Sequence, residues 1–246
     1  MIWTQWSDLK IPNGLTHLPT DGVTPRQEDL SKITFYVPAY MFGAAALVPI
    51  AKMSSLKVIQ SPNAGVDDVI ALRPAGVTLC NAAGVHDAST AELAVGLAIA
   101  ARRGFAQFAK DQSTGKWSHT TYASLTDSKV AIVGHGNIGK AIAGMLAGFE
   151  VEITSFSKSG SDGALKMDKF DALLPTFDVI ILIVPLNSET HHLMNSNRLA
   201  AMKDGAALIN VARGAVVDTD ALLQELQTGR ISAGLDVTDP EPLPAG

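Results

Sequence analysis

The chain has 246 residues and a mass of 25.8 kDa, is 47% hydrophobic and 17% charged, and carries a formal net charge of −5. Such a composition excludes a disordered polypeptide and supplies apolar mass for one large core or two modest ones. The mild acidity, spread along the sequence, speaks against a nucleic-acid binder, which gathers Lys and Arg on one face or tail, and leaves room for a small anionic substrate at a local cationic cluster.

Residues 1–10 lack the basic and apolar regions of a secretory signal, so a cytoplasmic protein is the expectation. Short apolar runs at 33–37 and 56–60 predict buried strands, with 77–80 a third. Cys80, in that third run, is the only cysteine. It can form no intrachain disulfide or cysteine zinc site, and it reads as a buried, inert thiol. A long helix is predicted from residue 89 or 90 to 103. Thr90 would be its N-cap, with Glu92 in the first turn and Arg102 and Arg103 at the negative end of the dipole, before Gly104. The longest apolar stretches, 40–50 and 91–101, are shorter than the roughly 20 residues that span a bilayer, and no membrane partner is expected.

The polar segment 110–128 has no clear period and reads as a loop or a connection between domains. From Lys129 onward strands and helices alternate regularly. Strands are predicted at 129–133, 151–156, 179–184, 206–209 and 231–237, and helices at 138–147, just after 196, and at 218–227. Strands this apolar, joined by helices, form a parallel sheet covered on both faces, so the second half is a doubly wound α/β unit. No His/Cys/Asp cluster stands at ligand spacing, and no metal is expected.

Gly134-His135-Gly136-Asn137-Ile138-Gly139 follows directly on the apolar run 130–133 and opens an amphipathic helix. A lone G-x-G-x-x-G is weak, but in this setting each glycine has a task. Gly134 permits the tight turn, Gly136 lets the backbone approach a pyrophosphate, and Gly139 lets the helix pack closely on the strand. The helix N-terminus adds free N–H groups and partial positive charge. The plain alternative is a glycine-rich turn that holds no ligand. About 20 residues further on, an acid should bind the ribose hydroxyl of NAD. The strand ends instead in Ser157 and Lys158. Losing the acid removes repulsion of a 2′-phosphate, and the cation supplies charge-assisted hydrogen bonds, so NADP is favoured over NAD. The alternative is that Lys158 is a solvated loop charge.

Several separated blocks occur in order: Asn63-Ala64-Gly65-Val66-Asp67, Thr90-Ala91-Glu92-Leu93, the glycine turn, and Val184-Pro185-Leu186-Asn187 with Thr190. Leu208-Ile209-Asn210-Val211-Ala212-Arg213-Gly214 follows, then Gly234-Leu235-Asp236-Val237 and Pro240-Glu241-Pro242. On these blocks the chain from about residue 56 onward resembles the D-isomer-specific 2-hydroxyacid dehydrogenases, which include glyoxylate/hydroxypyruvate reductases and phosphoglycerate dehydrogenases. The first fifty residues carry no matching motif. The resemblance implies two Rossmann-like α/β domains with doubly wound parallel sheets and an active-site cleft between them. Residues 1–99 would be the substrate domain, lacking the return segment that completes it in the family, and 100–246 the dinucleotide-binding domain. It further implies cofactor contacts at Thr90, Gly134, Gly136, Asn137, Ile138, Gly139, Ser157, Lys158, Val184, Pro185, Thr190, Val211, Ala212 and Asp236, and a homodimer.

Reducing a 2-oxo acid needs a carboxylate clamp, a hydride donor facing the carbonyl carbon, and a proton donor at its oxygen. Arg213 follows the strand 206–209 at its carboxyl end, where ligands bind in open α/β sheets. Its planar fork suits a carboxylate and a carbonyl oxygen, and its charge suits the negative charge that develops there. The resemblance assigns that role to the matching arginine; a surface arginine paired with a carboxylate is the alternative. It also assigns the substrate carboxylate to the backbone N–H groups of Ala64 and Gly65, where an ordinary turn is the alternative. Asp236 would contact the nicotinamide carboxamide, or else be a plain cap. Glu241 matches the acid that partners the family's catalytic histidine, and no histidine follows it. A missing tail is the expectation and a truncated gene product the alternative. None of His17, His86, His119, His135, His191 and His192 is nominated in its place. The expected function is hydride transfer between a nicotinamide cofactor and a small 2-oxo or 2-hydroxy acid. The alternatives are a dinucleotide-sensing corepressor of the same fold and an inactive paralogue.

Overall fold

In the computed structural model, which describes residues 1–19 and 22–244, ten strands form two sheets in which every neighbouring pair is parallel. The sheets belong to separate units, Met1–His86 and Asp87–Gly246.

In the first unit β1 (Ile2–Trp3), β2 (Phe35–Tyr36), β3 (Val58–Gln60) and β4 (Thr78–Cys80) lie in that order. The short helices α1 (Gly43–Leu47) and α2 (Asp67–Ile70) fall between strands. Trp3, Ile33, Tyr36, Ile50 and Ile59 share one core. The Tyr36 hydroxyl donates to the Ala46 carbonyl at 2.5 Å, and burial pushes its pKa up, so it stays a neutral donor. β4 is one of the two edge strands of this sheet, and Cys80 at its end is half-buried, not buried as expected.

The second unit opens with α3 (Asp87–Arg102) and α4 (Phe105–Ser113). Then come β5 (Lys129–Val133), α5 (Asn137–Leu146), β6 (Glu152–Ser157), β7 (Leu165–Lys166), α6 (Phe170–Leu173), β8 (Val179–Leu182), α7 (Ser196–Ala201), β9 (Ala207–Asn210), α8 (Thr219–Thr228) and β10 (Ser232–Leu235). The strand order is β10-β9-β8-β5-β6-β7. The chain therefore starts in the middle, winds outward through β6 and β7, then returns beside β5 and winds the other way. This is the doubly wound sheet that the apolar strands predict.

The two-residue period of a strand divides its side chains between two cores. Val130, Ile132, Val179, Ile181, Ala207 and Ile209 join Ala91, Ala94 and Ala98 of α3 and Ile142 and Leu146 of α5. Ala131, Val133, Ile180, Leu182 and Leu208 join Phe156, Phe170, Phe177, Leu199 and Leu222 on the opposite face. Each large side chain buried this way stabilises the fold by about 1.5–3 kcal/mol.

Three expectations shift. α3 begins at Asp87, so Thr90 sits inside the first turn and is not the N-cap; Asp87 places the acid there. The small alanine face of α3 packs on β9, β10 and α5, so the division of the chain falls after His86 and not at residue 99. The polar segment 110–128 is helical at its start, because α4 runs to Ser113 after Gly104 turns the chain with φ of 66°.

Candidate functional site

Strand order reverses between β5 and β8, and a crevice forms at the carboxyl ends of the strands flanking such a point. Main-chain bonds hold four of these ends in a row. Ile183 N–H donates to the Val133 carbonyl at 2.9 Å, Val211 N–H to Leu182 at 3.2 Å, and Asp236 N–H to Asn210 at 3.0 Å.

The glycine turn is built against this edge. Gly134 has φ of 118°, and a Cβ there would lie 2.1 Å from the Ile183 carbonyl oxygen. A Cβ on Gly139 would lie 2.0 Å from the Gly134 carbonyl oxygen. Neither position admits a side chain. Gly136 is different, since a Cβ there meets nothing within 4 Å. Open space therefore stands before the N-terminus of α5, which has no side-chain cap and no acid in its first turn. His135 Nδ1, buried in the same turn, has no hydrogen-bond partner among the described residues. Bare helix N–H groups and an open approach fit an anionic group such as a pyrophosphate.

A cavity of about 670 Å³ extends from this turn. That volume lies within the ~300–1,000 Å³ usual for small-molecule sites. Of the residues named from sequence, Gly134, Gly136, Ser157, Lys158, Val184, Pro185 and Thr190 line it. Thr190 has a structural task as well: its hydroxyl donates to the Pro185 carbonyl at 2.6 Å and accepts the Asn187 N–H at 2.9 Å. Ser157 Oγ accepts the Gly160 N–H at 3.0 Å.

The other residues named from sequence lie off the cavity lining. Asn137 and Ile138 form the first turn of α5, and Gly139 is buried against the strand. Val211 and Ala212 are buried just past β9, Arg213 is half-buried beside them, and Asp236 is exposed just past β10. All four stand on the carboxyl edge of the sheet that carries the glycine turn. Thr90 is half-buried in α3, and Glu241 is exposed beyond β10. Ala64 and Gly65 belong to the first unit, in the loop after β3, where the Asn81 side chain donates to the Ala64 carbonyl at 3.0 Å.

Asn187, quoted in a motif block but given no site role, also lines the cavity, as do Glu189 and Arg198, which sequence reasoning missed. Glu189 Oε1 lies 2.6 Å from Lys158 Nζ. Arg198 grips Asp171 through Nε at 2.6 Å and Nη2 at 3.2 Å and donates to the Leu193 carbonyl. The hydrogen bond from Arg198 outweighs partial burial and holds the Asp171 carboxyl below its ordinary pKa. The turn-closing role of Asn187 could have been read, because Asn-x-Glu-Thr after Pro-Leu suits a side-chain-closed turn. The ion pairs leave no such local mark. Among the described residues no His, Cys, Asp and Glu side chains gather as a metal site, and no helix is long and apolar enough to cross a membrane.

Residues 95–246 match the family described as D-isomer specific 2-hydroxyacid dehydrogenase, NAD binding domain. The chain is 34% identical over 195 residues to a hydroxypyruvate reductase of Thermotoga maritima, covering 76% of this chain and 64% of that protein. It is 36% identical over 205 residues to a glyoxylate reductase of Thermofilum pendens, covering 77% and 60%. It therefore spans less than two thirds of the length of either relative. Among solved structures, a D-isomer specific 2-hydroxyacid dehydrogenase from Xanthobacter autotrophicus Py2 in complex with NADPH and MES gives a TM-score of 0.77 at 26% identity, over 100% of this chain and 83% of that one.

Proposed function

Because the chain belongs to the D-isomer specific 2-hydroxyacid dehydrogenase family, we propose that the whole protein transfers a hydride between a nicotinamide dinucleotide and a small 2-oxo or 2-hydroxy acid. The observation that carries this reading is the turn in which Gly134 and Gly139 are locked against main chain while Gly136 faces open space at an uncapped helix start. When bound, the cofactor supplies or accepts the hydride. Main-chain N–H groups at Gly136 and Asn137 hold its pyrophosphate, Val184 and Pro185 form the apolar wall, and Asp236 orients the nicotinamide carboxamide.

Arg213 holds the substrate carboxylate and carbonyl oxygen through its planar fork and steadies the negative charge that grows on that oxygen. Main-chain donors at Ala64 and Gly65 are assigned to the substrate carboxylate. Glu241 is assigned to orienting the proton donor, a role its exposed position permits. The preferred cofactor is NADP. Ser157 stands where an acid would repel a 2′-phosphate, Lys158 and Lys166 bring positive charge to the same cavity, and the Xanthobacter relative carries NADPH. The same reading takes the protein as a cytoplasmic homodimer.

The test is turnover. Hydroxypyruvate and glyoxylate are offered with NADPH and with NADH, and cofactor binding is followed by nicotinamide fluorescence. Consumption of NADPH at a higher kcat/KM than NADH is expected. Cofactor binding without turnover of any 2-oxo acid overturns the redox assignment.

A further inference from the structure

Lys158 Nζ and Glu189 Oε1 are 2.6 Å apart, and both residues line the cavity that starts at the glycine turn. The backbone beneath each is fixed. Asn187 Oδ1 accepts the N–H groups of Glu189 at 2.8 Å and Thr190 at 3.2 Å, so the carboxylate rises from a closed turn. On the other side, Ser157 Oγ accepts the Gly160 N–H at 3.0 Å and closes the turn that carries Lys158. An exposed ion pair adds little to stability, so its consequence lies in what the pair does to a ligand.

A 2′-phosphate that comes to Lys158 must displace the Glu189 carboxylate and then bear a like charge beside it. A ribose with a free 2′-hydroxyl faces no such contest, because a hydroxyl can donate to the carboxylate. We propose that Glu189 is a specificity-determining residue, which narrows the preference for a 2′-phosphorylated dinucleotide by occupying Lys158 and offering an acceptor to an unphosphorylated ribose. The proposal rests on the reading of Lys158 as the partner of the 2′-phosphate.

Calorimetric binding of adenosine 2′,5′-bisphosphate and of 5′-AMP to the full chain tests it without turnover. The wild type is compared with Glu189→Gln, Glu189→Ala and Lys158→Ala, and thermal melts establish that each variant is folded. Both Glu189 variants are expected to raise the ratio of bisphosphate to AMP affinity by about fivefold, the upper range for an exposed ion pair. Lys158→Ala is expected to lower that ratio. If Lys158→Ala leaves the ratio unchanged, the reading of Lys158 falls and the role of Glu189 falls with it. If Lys158→Ala lowers the ratio while the Glu189 variants do not raise it, the role of Glu189 alone is overturned, and the pair is a strap across the cavity mouth.

Discussion

The carboxamide of Asn210 brackets Arg213. Its Nδ2 donates to the Arg213 carbonyl at 2.9 Å, and its Oδ1 accepts the Ala212 N–H at 3.0 Å. Asn210 is 1% exposed, the bond to Ala212 is buried and the bond to Arg213 partly so, and together they fix the main chain just past β9. Arg213 leaves that anchor in an extended conformation, with φ of −146° and ψ of 146°, and its Nη1 donates to the Ala212 carbonyl at 2.8 Å. The main chain from which the guanidinium departs is thus anchored by an amide three residues earlier.

An Asn210→Ala variant leaves the Ala212 N–H and the Arg213 carbonyl without these partners, a loss of about 1–3 kcal/mol in stability. Asn210→Asp is worse for the site, because an acceptor-only carboxylate then faces the Arg213 carbonyl. If Arg213 holds the substrate as proposed, both variants are expected to lower kcat/KM for the 2-oxo acid by about tenfold to a hundredfold, with little change in dinucleotide affinity. Arg213→Gln lowers it by about a hundredfold to a thousandfold, and Arg213→Lys recovers only part, since an ammonium lacks the planar fork. Steady-state kinetics together with nicotinamide fluorescence separate the two readouts. Equal loss of cofactor binding in the Arg213 variants would show that the arginine serves the dinucleotide and not the substrate.

The three glycines of the turn give opposite outcomes on replacement by alanine. Gly134→Ala and Gly139→Ala push a Cβ to 2.1 and 2.0 Å from main-chain oxygens that belong to the sheet edge and to the turn itself. Each is expected to destabilise the second unit by about 3 kcal/mol or more, since main chain cannot move aside as a side chain can. Gly136→Ala meets no atom within 4 Å, so its melting temperature should stay within about 2 °C of the wild type. The same methyl group stands where a pyrophosphate would approach, and dinucleotide affinity should fall at least about tenfold. Thermal melts and fluorescence titration check both halves. A Gly136→Ala protein that binds the dinucleotide as tightly as the wild type would refute the phosphate cradle.

The doubly wound sheet is legible in the sequence because residues 130–133 of β5, Val179–Leu182 of β8 and 207–209 of β9 are buried on both faces and form uninterrupted apolar runs. β1 and β7 have two residues each, too few for any period to register. The glycine turn is legible because its demands are local: one forbidden Cβ and one open approach within six residues of chain. The start of α3 is misplaced because Thr90 is one of several capping types in a row, with Asp87 and Ser89 ahead of it, and the helix begins at Asp87, whose acid suits the first turn. Glu189 and Arg198 could not be read at all. Their partners lie 31 and 27 residues away along the chain, and only the sheet brings Lys158 and Asp171 to them.

Acid sensitivity should trace in part to Asp178, at the amino-terminal edge of the same sheet. Its Oδ2 accepts the Lys129 N–H at 2.9 Å, and its Oδ1 accepts from Lys203 Nζ at 2.7 Å. Burial pushes the carboxyl pKa up. The hydrogen bonds from Lys203 and the Lys129 N–H, with the charges of Lys203 and Arg102, outweigh burial and hold it below the ordinary value. A folded pKa lower than the unfolded one means that the carboxylate contributes stability above the unfolded value of about 4 and loses it as pH falls toward the folded value. Asp178→Asn keeps an acceptor for the Lys129 N–H but loses the charge that meets Lys203. At pH 7 it should be less stable by about 1–2 kcal/mol, the low end for a hydrogen bond to a charged group because Lys203 is half exposed. That difference should shrink as pH is lowered below about 4, because the wild-type carboxyl then becomes neutral too. Urea unfolding followed by far-UV circular dichroism across this range measures it. A wild-type advantage that stays constant down to strongly acidic pH would mean that the carboxylate is not stabilised by the fold.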